Sequence, residues 1–485
     1  EGLQNVAIGS NSLGANTTGD NNTAVGYSAL LLNTTGDYNT SLGAYSLDAN
    51  TTGEKNVGVG LNALGGNTSA SNNVAVGSNA SRCNTTGTQN VALGTCALFT
   101  NTEAHNNVAV GYCSLKSSTT GTLNVAMGSF ALEDTTSGSC NVALGYRALC
   151  DNTEGGTNVA VGGCTLMANT TGTQNVAVGM HALALNTTAS QNTGVGYNSL
   201  YTNTVGCDNV AVGTAALYTL DDGDWNTAIG QGSMNKTSTG CRNTAVGQGS
   251  LVCNTTGSGN TAVGGTNAGT IPVMHQNTTG AHNSAFGASA LACNTEGDYN
   301  TTAGYQAGYY VSTGDNNLLL GKDAGITGSP GGSITTVDNI IVLGDENITA
   351  SNIQVDWTVA SDARDKTDFT DLDIGLDFIN ALKPYTYKWD KRIKYISKEN
   401  RNVEDLDTIT HDGTHKEDWL DIGFKAQEVE TLEKASGYKI EDKTNLTTSL
   451  TGDGKQYGIQ YSKFIPILVN AIKELKAEID ELKNK

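Results

Sequence analysis

The first 350 residues of this 485-residue chain have little charge of either sign and very few basic side chains. They contain 7 Lys and Arg against 21 Asp and Glu, whereas the remaining 135 residues contain 20 and 26. An acidic surface poor in basic groups repels the phosphate backbone of nucleic acids. The composition therefore argues against nucleic-acid binding, and it divides the chain near residue 350.

Long apolar runs and metal-ligand motifs are also missing. No stretch of about 18 apolar residues is present, so we expect no membrane span. The ten Cys all precede residue 300 and form no C-x-x-C pair, so we expect no metal and no cofactor, and we interpret the thiols as small apolar fillers. Cys96 and Cys113 lie 17 residues apart. If they stack, they are within disulfide range, and both a free pair and a disulfide remain open.

What the chain has instead is an asparagine that recurs with a strict period of 17 residues. The consensus is N-[VT]-A-V-G-x-x-A-L-x-x-N-T-T-G-x-x, and its positions are numbered 1 to 17 below. This period suits one coil of a β-solenoid, with short strands and two turns. The array has twenty repeats, with position 1 at every seventeenth residue from Asn5 to Asn260 and then at Asn283, Asn300, Asn317 and Asn339.

The consensus predicts the structural role of individual positions in each coil. Position 1 predicts a ladder of stacked amides, and the Gly at position 5 predicts a strand end with positive φ. One coil buries few side chains, so we expect several chains to share the core, as a homotrimer with the small residues at position 3 facing the common axis. We predict a mainly β, trimeric parallel β-roll or β-solenoid rod over residues 1–350, with insertions near 266–281 and 322–338.

The segments Asn22–Gly26 (N-T-A-V-G) and Asn90–Gly94 (N-V-A-L-G) are typical of the repeat over residues 5–343. This repeat resembles the N-S-x-A-I-G coils in the heads of trimeric autotransporter adhesins. The resemblance implies a left-handed parallel β-roll and a surface fibre, although the period here is longer than is usual for those heads.

Two polar clusters each have two interpretations. Asp221, Asp222 and Asp224 form either a calcium site or a solvated acidic turn. His411 and His415, four residues apart, are either two metal ligands or ordinary loop residues. Gly413 between them favours a loop, and two ligands are too few for a typical metal site.

Beyond a junction at 351–360, four short motifs follow one another. They are S-D-x-R-x-K at 361–366, L-x-P-x-x-Y at 382–387, G-x-x-A-Q-E at 423–428, and a Tyr before the final helix. This set resembles the endosialidase-type intramolecular chaperone domain of phage tail fibres and spikes, over about residues 355–485. The resemblance implies a small α+β domain at 361–485 that trimerises, helps the upstream fibre to fold, and then severs itself with a Ser–Lys dyad.

Carried over residue by residue, the resemblance makes Ser361 the nucleophile and Lys366 the general base, with Asp362 and Arg364 in support. The predicted scissile bond joins Ala360 to Ser361. A Ser hydroxyl needs a neighbouring base, and a Lys serves as that base when burial or nearby cations lower its pKa. From the residues alone, a helix N-cap at Ser361 is favoured over a nucleophile, and the two roles are compatible.

A long final helix is predicted from Tyr457 to Lys483, and the predicted coiled coil covers 464–485. Ile at a and Leu at d favour two strands in a parallel coil, which conflicts with the trimer that the resemblance implies. The seam consists of Ile465, Leu468, Ile472, Leu475, Ile479 and Leu482.

These features together predict an extracellular trimeric tail fibre of a phage virion. It would attach to a receptor or glycan on the host surface, and chain preceding Glu1 would join it to other virion proteins. Its only expected enzymatic act is a single self-cleavage. The alternatives are a trimeric adhesin on a bacterial cell surface, a polysaccharide-degrading tailspike, and a structural spacer.

Overall fold

The computed structural model describes residues 2–265, 270–354, 359–396, 406–451 and 453–485. The chain divides into two compact units, Glu1–Tyr299 and Asn300–Lys485. Residues 266–269 of the first predicted insertion and 355–358 of the junction lie outside the described residues.

The prediction of a mainly β, parallel solenoid is confirmed. In the first unit, each three-residue strand pairs in parallel with the strand one repeat later, as Val91 does with Val108. In the second unit β18, β19 and β20 pair in the same way. The strands are β1 Val6–Ile8, β2 Thr23–Val25, β3 Thr40–Leu42, β4 Val57–Val59, β5 Val74–Val76, β6 Val91–Leu93, β7 Val108–Val110, β8 Val125–Met127, β9 Val142–Leu144, β10 Val159–Val161, β11 Val176–Val178, β12 Thr193–Val195, β13 Val210–Val212, β14 Thr227–Ile229, β15 Thr244–Val246, β16 Thr261–Val263, β17 Ser284–Phe286, β18 Thr301–Ala303, β19 Leu318–Leu320 and β20 Ile341–Leu343.

The core of each coil lies within a single chain. From the second coil onward, the middle residue of the strand, at position 3, is buried, and Ala75 and Ala109 have no exposed surface, whereas Ala7 in the first coil is exposed. From the other side of the coil comes the Leu at position 9, which is also fully buried and takes a left-handed backbone, as at Leu64 with φ 52°. The expectation that position 3 faces a shared axis is therefore wrong. Because strand side chains alternate, positions 2 and 4 point away from the core.

Two asparagine ladders connect successive coils. At position 1, Asn22 Oδ1 accepts the Asn39 backbone N–H at 2.9 Å, and Asn22 Nδ2 donates to Gly36 O at 2.9 Å. At position 12, Asn50 Nδ2 donates to Asn33 Oδ1 at 2.8 Å and to Gly53 O at 3.0 Å. The predicted amide ladder is confirmed, and the Asn of the N-T-T-G turn forms a second one that sequence reasoning missed.

Close stacking of the coils explains the Gly at position 5. Gly26 has φ 138°, and a Cβ built there would lie 2.6 Å from Gly43 O in the next coil. A side chain at this position would therefore be strained and would also collide with the neighbouring coil.

The last coil departs from the predicted register by one residue. Leu318 pairs with Ile341, and Ile340 N–H donates to Asn317 Oδ1 at 3.1 Å. Ile340 thus takes position 1, and Asn339, which the period placed there, lies one residue earlier, where its Oδ1 accepts Asn316 Nδ2. The second insertion adds six residues to this coil, as the first insertion does between Asn260 and Asn283.

The second insertion packs against the C-terminal part of its own unit. Ile334 is 1 % exposed, and a Cβ on Gly328 would lie 2.4 Å from the Ile393 side chain. Ser333 N–H donates to Asp453 Oδ2 at 2.9 Å. This insertion is therefore a contact segment within the second unit.

The C-terminal part is a small α+β region with a core formed by Ile374, Phe378, Val429, Phe464 and Ile467. The last helix begins at Phe464, because Tyr457–Ile459 forms a strand where we had expected the helix to start. The elements are α1 Leu376–Ala381, β21 Tyr385–Tyr387, β22 Asp421–Gly423, α2 Ala426–Ala435, β23 Thr448–Leu450, β24 Tyr457–Ile459 and α3 Phe464–Lys483, with 3-10 turns at Ala363–Asp365, Arg392–Tyr395, Leu406–Thr408 and Tyr461–Lys463. Strands β21 and β22 pair antiparallel, as do β23 and β24.

Among the described residues, no helix is both long and apolar enough to cross a bilayer.

Candidate functional site

The motif S-D-A-R-D-K folds into one turn of 3-10 helix with a side-chain cap. Asp362 is the N-cap, and its Oδ1 accepts the backbone N–H of Arg364 at 2.9 Å. The turn ends at Lys366, whose backbone is extended. The cap predicted for this motif is therefore present, but it is provided by Asp362 and not by Ser361.

The two supporting residues form an ion pair within the turn. Arg364 Nε lies 3.0 and 3.1 Å from the two carboxylate oxygens of Asp362, and Nη2 lies 2.5 Å from Oδ2. The hydrogen bonds from the Arg364 side chain and backbone hold the pKa of Asp362 below its usual value. Asp362 is therefore ionised at neutral pH and keeps both its cap and its Arg partner.

This turn brings the first and last residues of the motif together. Lys366 Nζ lies 2.6 Å from Ser361 Oγ, a direct hydrogen-bond distance. Both side chains are exposed, as is Ala360. Among the described residues, the side-chain hydrogen bonds of Ser361, Asp362, Arg364 and Lys366 stay inside the motif.

The later motifs meet in a second network. Tyr385 pairs with Gly423 across β21 and β22, and its hydroxyl donates to Glu428 Oε2 at 2.9 Å. Lys425 Nζ lies 3.1 Å from Glu428 Oε1 and 4.4 Å from the Tyr385 ring centroid. The Tyr461 hydroxyl accepts the backbone N–H of Phe424 at 3.2 Å. The second, third and fourth motifs therefore build one structural unit.

The predicted coiled-coil seam lies on α3 and faces away from the domain core. Helix α3 buries Phe464, Ile467 and Ala471 against the domain. On its other side Ile472 is 65 % exposed and Leu482 is 70 % exposed. The helix thus has two apolar faces, and only one of them packs against other described residues of the chain. The exposed face consists of Ile465, Leu468, Ile472, Leu475, Ile479 and Leu482.

A comparison with protein-family models identifies this region. Residues 361–437 match the family model described as chaperone of endosialidase, a peptidase family. The match to the chaperone of endosialidase begins at Ser361 and includes α1, β21, β22 and α2. It confirms the resemblance drawn from the ordered motifs. The searches of curated proteins and of solved structures found no significant match.

The match leaves the repeats outside, so their resemblance to adhesin heads stays a prediction. It also leaves the roles of Ser361, Lys366, Asp362, Arg364 and the Ala360–Ser361 bond as predictions. The geometry nevertheless brings the predicted nucleophile and base within hydrogen-bond distance.

The other candidate sites have local structural roles. Cys96 and Cys113 are free thiols. Asp224 Oδ1 accepts the backbone N–H of Cys207 at 2.7 Å in the preceding coil. His415 packs edge-on against Tyr395, with ring centroids 4.7 Å apart. Among the described residues, no group of three or more His, Cys, Asp and Glu is arranged to hold a metal ion.

Sequence reasoning missed a buried carboxylate near the end of the matched segment. Glu433 on α2 is 1 % exposed, and its Oε1 accepts the Thr447 backbone N–H at 2.5 Å and the Thr447 hydroxyl at 2.7 Å. Its other oxygen accepts the Thr448 hydroxyl. This carboxylate attaches the β23–β24 hairpin to α2. The Thr-Thr pair that follows α2 was the available sequence signal.

Proposed function

We propose that this chain is a trimeric, tail-fibre-like protein whose C-terminal domain, residues 361–485, is an intramolecular chaperone that removes itself. The single observation that carries the proposal is the Ser361–Lys366 contact of 2.6 Å at the first residue of the chaperone match. The β-solenoid is the part that is assembled, and the junction at 351–360 connects it to the chaperone.

The chemistry of the cut follows from this pair. Lys366 Nζ takes the proton of Ser361 Oγ, and Oγ attacks the carbonyl carbon of Ala360. The C–N bond to Ser361 breaks, its nitrogen takes the proton from Lys366, and Ala360 is left as an ester on Oγ. Water then hydrolyses the ester. The products are a carboxylate at Ala360 and a free amine at Ser361, so one turnover per chain balances without a cofactor.

Burial of the Ser361–Lys366 pair is the condition for cleavage that a single chain lacks and that assembly would supply. Lys acts as a general base when burial removes water from its ammonium group, and both members of the pair are exposed in the single chain. We propose that association with further copies covers the pair. Cleavage would then follow assembly, and an unassembled chain would stay intact.

The trimer rests on two supports. The family resemblance implies trimeric assembly, and the exposed face of α3 provides a surface for it. The heptad favours dimers when taken alone. In this chain, however, α3 is also anchored to the domain by Phe464 and Ile467, so packing outside the seam also determines how many helices meet.

The second insertion supports the chaperone role. The backbone of Ser333 is hydrogen-bonded to Asp453, and Lys391 Nζ donates to Glu346 O at 2.5 Å. The C-terminal domain therefore contacts the last coil region of its own unit. We propose that it starts the fold of the solenoid there, and that the assembled solenoid then attaches the particle to a host-surface receptor or glycan.

The test is a comparison of wild type with single-residue variants on a denaturing gel, followed by intact-mass measurement. Wild type should give fragments 1–360 and 361–485. Ser361→Ala and Lys366→Met should give the uncut chain as the same oligomer, whereas Ser351→Ala, an exposed serine outside the motif, should cut normally. A cut in Ser361→Ala, or a C-terminal fragment that does not begin at Ser361, would contradict the proposed chemistry.

A further inference from the structure

Strands β1–β17 present an uncharged face to the outside of the solenoid. Their outward positions, 2 and 4, carry no Asp, Glu, Lys, Arg, Asn or Gln in any of the seventeen strands. Position 4 is apolar in all of them, and position 2 is Val, Thr or Ser. The charged side chains of this unit lie at the turns. This strand face is therefore uncharged along the whole unit, apolar at every position 4, and interrupted at position 2 only by Thr and Ser hydroxyls.

The strand face is also open in the single chain. Four side chains at position 4 show this clearly. Their exposed fractions are 60 % for Ile8, 49 % for Leu42, 47 % for Met127 and 44 % for Phe286. The reason is the narrow coil, which has room for Ala at position 3 but turns the larger neighbours outward. Hydrophobic side chains thus point to solvent in nearly every coil, while small ones fill the interior.

The exposed area of the strand face is larger than the apolar patches found on most monomeric proteins. At roughly 45 Å² for each outward side chain, the seventeen strands expose on the order of 1,500 Å², whereas the largest apolar patch on a monomer is about 300–600 Å². A stable protein interface needs about 800 Å² from each partner. The exposed area therefore approaches the roughly 1,600 Å² that contacts with two partners need.

We infer that the strand face of β1–β17 is the contact surface for two further copies of this chain. This inference rests on the trimer of the proposed function and specifies its interface along the solenoid. A second copy fits because each coil repeats the same outward pair of residues, so that parallel copies place apolar rows against apolar rows. The acidic turns then remain in solvent, where like charges are screened.

Two equally exposed methionines of the wild-type chain provide a matched test, and a third, buried methionine is the reference. Met127 lies on the strand face and is 47 % exposed, Met180 follows β11 at a turn and is 49 % exposed, and Met234 is fully buried. Hydrogen peroxide oxidises Met to the sulfoxide according to exposure. In the native protein, Met127 should oxidise at least about tenfold more slowly than Met180, at a rate nearer to that of Met234. In denaturant, all three should oxidise alike.

Light scattering on the same sample separates this inference from the proposed function. An oligomer in which Met127 oxidises as fast as Met180 would overturn the strand-face contact and leave the trimer standing. A monomer would overturn both. Protection of Met180 together with Met127 would move the contact to the turns and overturn the assignment to the strands.

A pair of substitutions in one coil gives a second test. Val178→Lys places a charge on the strand face, and Met180→Lys places the same charge on the turn two residues later. The recovered oligomer of the cut 1–360 fragment should fall at least about tenfold for Val178→Lys and stay unchanged for Met180→Lys. Equal recovery of both variants would contradict the inference.

Discussion

A gap in the asparagine ladder gives a prediction whose sign can be worked out from the structure. The ladder at position 12 stops at Ser118, where both Ser118 Oγ and the preceding Asn101 Oδ1 are buried without a hydrogen-bond partner. In an intact rung, Asn84 Nδ2 donates to Asn67 Oδ1 at 2.9 Å and to Gly87 O at 2.9 Å. Ser118→Asn should restore both bonds, to Asn101 Oδ1 and to Gly121 O.

The expected gain follows from the two bonds. Each buried hydrogen bond contributes about 1 kcal/mol net, and an unsatisfied buried acceptor costs about 1–3 kcal/mol. The new amide leaves its own oxygen facing Thr135, so one unsatisfied acceptor replaces another and the net gain is about 1–2 kcal/mol. The reverse change, Asn84→Ser, removes two donated bonds and the one accepted from Asn101 at 2.6 Å, and should cost about 3–4 kcal/mol.

Local hydrogen exchange is the suitable assay, because repeat proteins open in segments and do not always unfold in one step. Amides around residues 101–121 should exchange about tenfold more slowly in Ser118→Asn and several hundredfold faster in Asn84→Ser. Ser117→Asn, at the neighbouring position outside the ladder, is the control and should change little. If Ser118→Asn accelerates exchange, or if the two reciprocal changes have the same sign, the ladder does not stabilise the coils in this way.

Three further changes test other parts of the chain. Gly26→Ala should prevent correct stacking of its coil, since its Cβ would lie 2.6 Å from Gly43 O, and normal thermal stability would refute the close approach. Glu433→Gln replaces one carboxylate oxygen by an NH₂ group, which then faces at least one of the three donors, and it should lower the unfolding free energy by about 2–4 kcal/mol in denaturant titration. Glu441→Gln, on an exposed side chain, should have little effect, and equal midpoints for the two variants would contradict the anchoring role. Ile472→Lys should abolish both oligomer and self-cleavage, and a cut monomer would show that cleavage needs no assembly.

The solenoid could be predicted because its 17-residue period is explicit in the sequence. Which side chains face the core and which face solvent could not be predicted. A strand reading N-V-A-V-G suggests that Val is buried and that the small residue faces a neighbour. The reverse holds, as Ala92 is buried and Leu93 is 37 % exposed. The width of the coil, set by the Leu at position 9, decides which strand positions face inward and which face outward. This width is a property of the closed coil and cannot be read from the strand sequence. The register of the last coil failed for a related reason, because an insertion does not show where it ends.

The candidate site was predicted in its residues, whose roles stay predictions, but its geometry could not be predicted. The order of the motifs singled out Ser361 and Lys366, yet their 2.6 Å contact depends on the 3-10 turn that the Asp362 cap begins. The last helix was predicted too long, because the alternating residues of Tyr457–Ile459 pair with Thr448–Leu450 across a loop. That pairing is non-local, and sequence periodicity alone does not reveal it.

The repetitive strand face gives a physical reason for a separate chaperone domain. In the proposed trimer, sliding one copy by a whole coil past another changes few contacts, because positions 2 and 4 carry mostly Val, Thr and Leu in coil after coil. The strand face would therefore provide contact area but little register. The breaks in the position-12 ladder, such as Ser118 and Leu220, lie inside the coil and cannot be sensed by a neighbour. Alignment must therefore come from a non-repetitive part of the chain. The C-terminal domain is such a part, and Ser333 connects it to the last coil region. In the proposed trimer, the strands of the three copies would begin to pair there, in the same register.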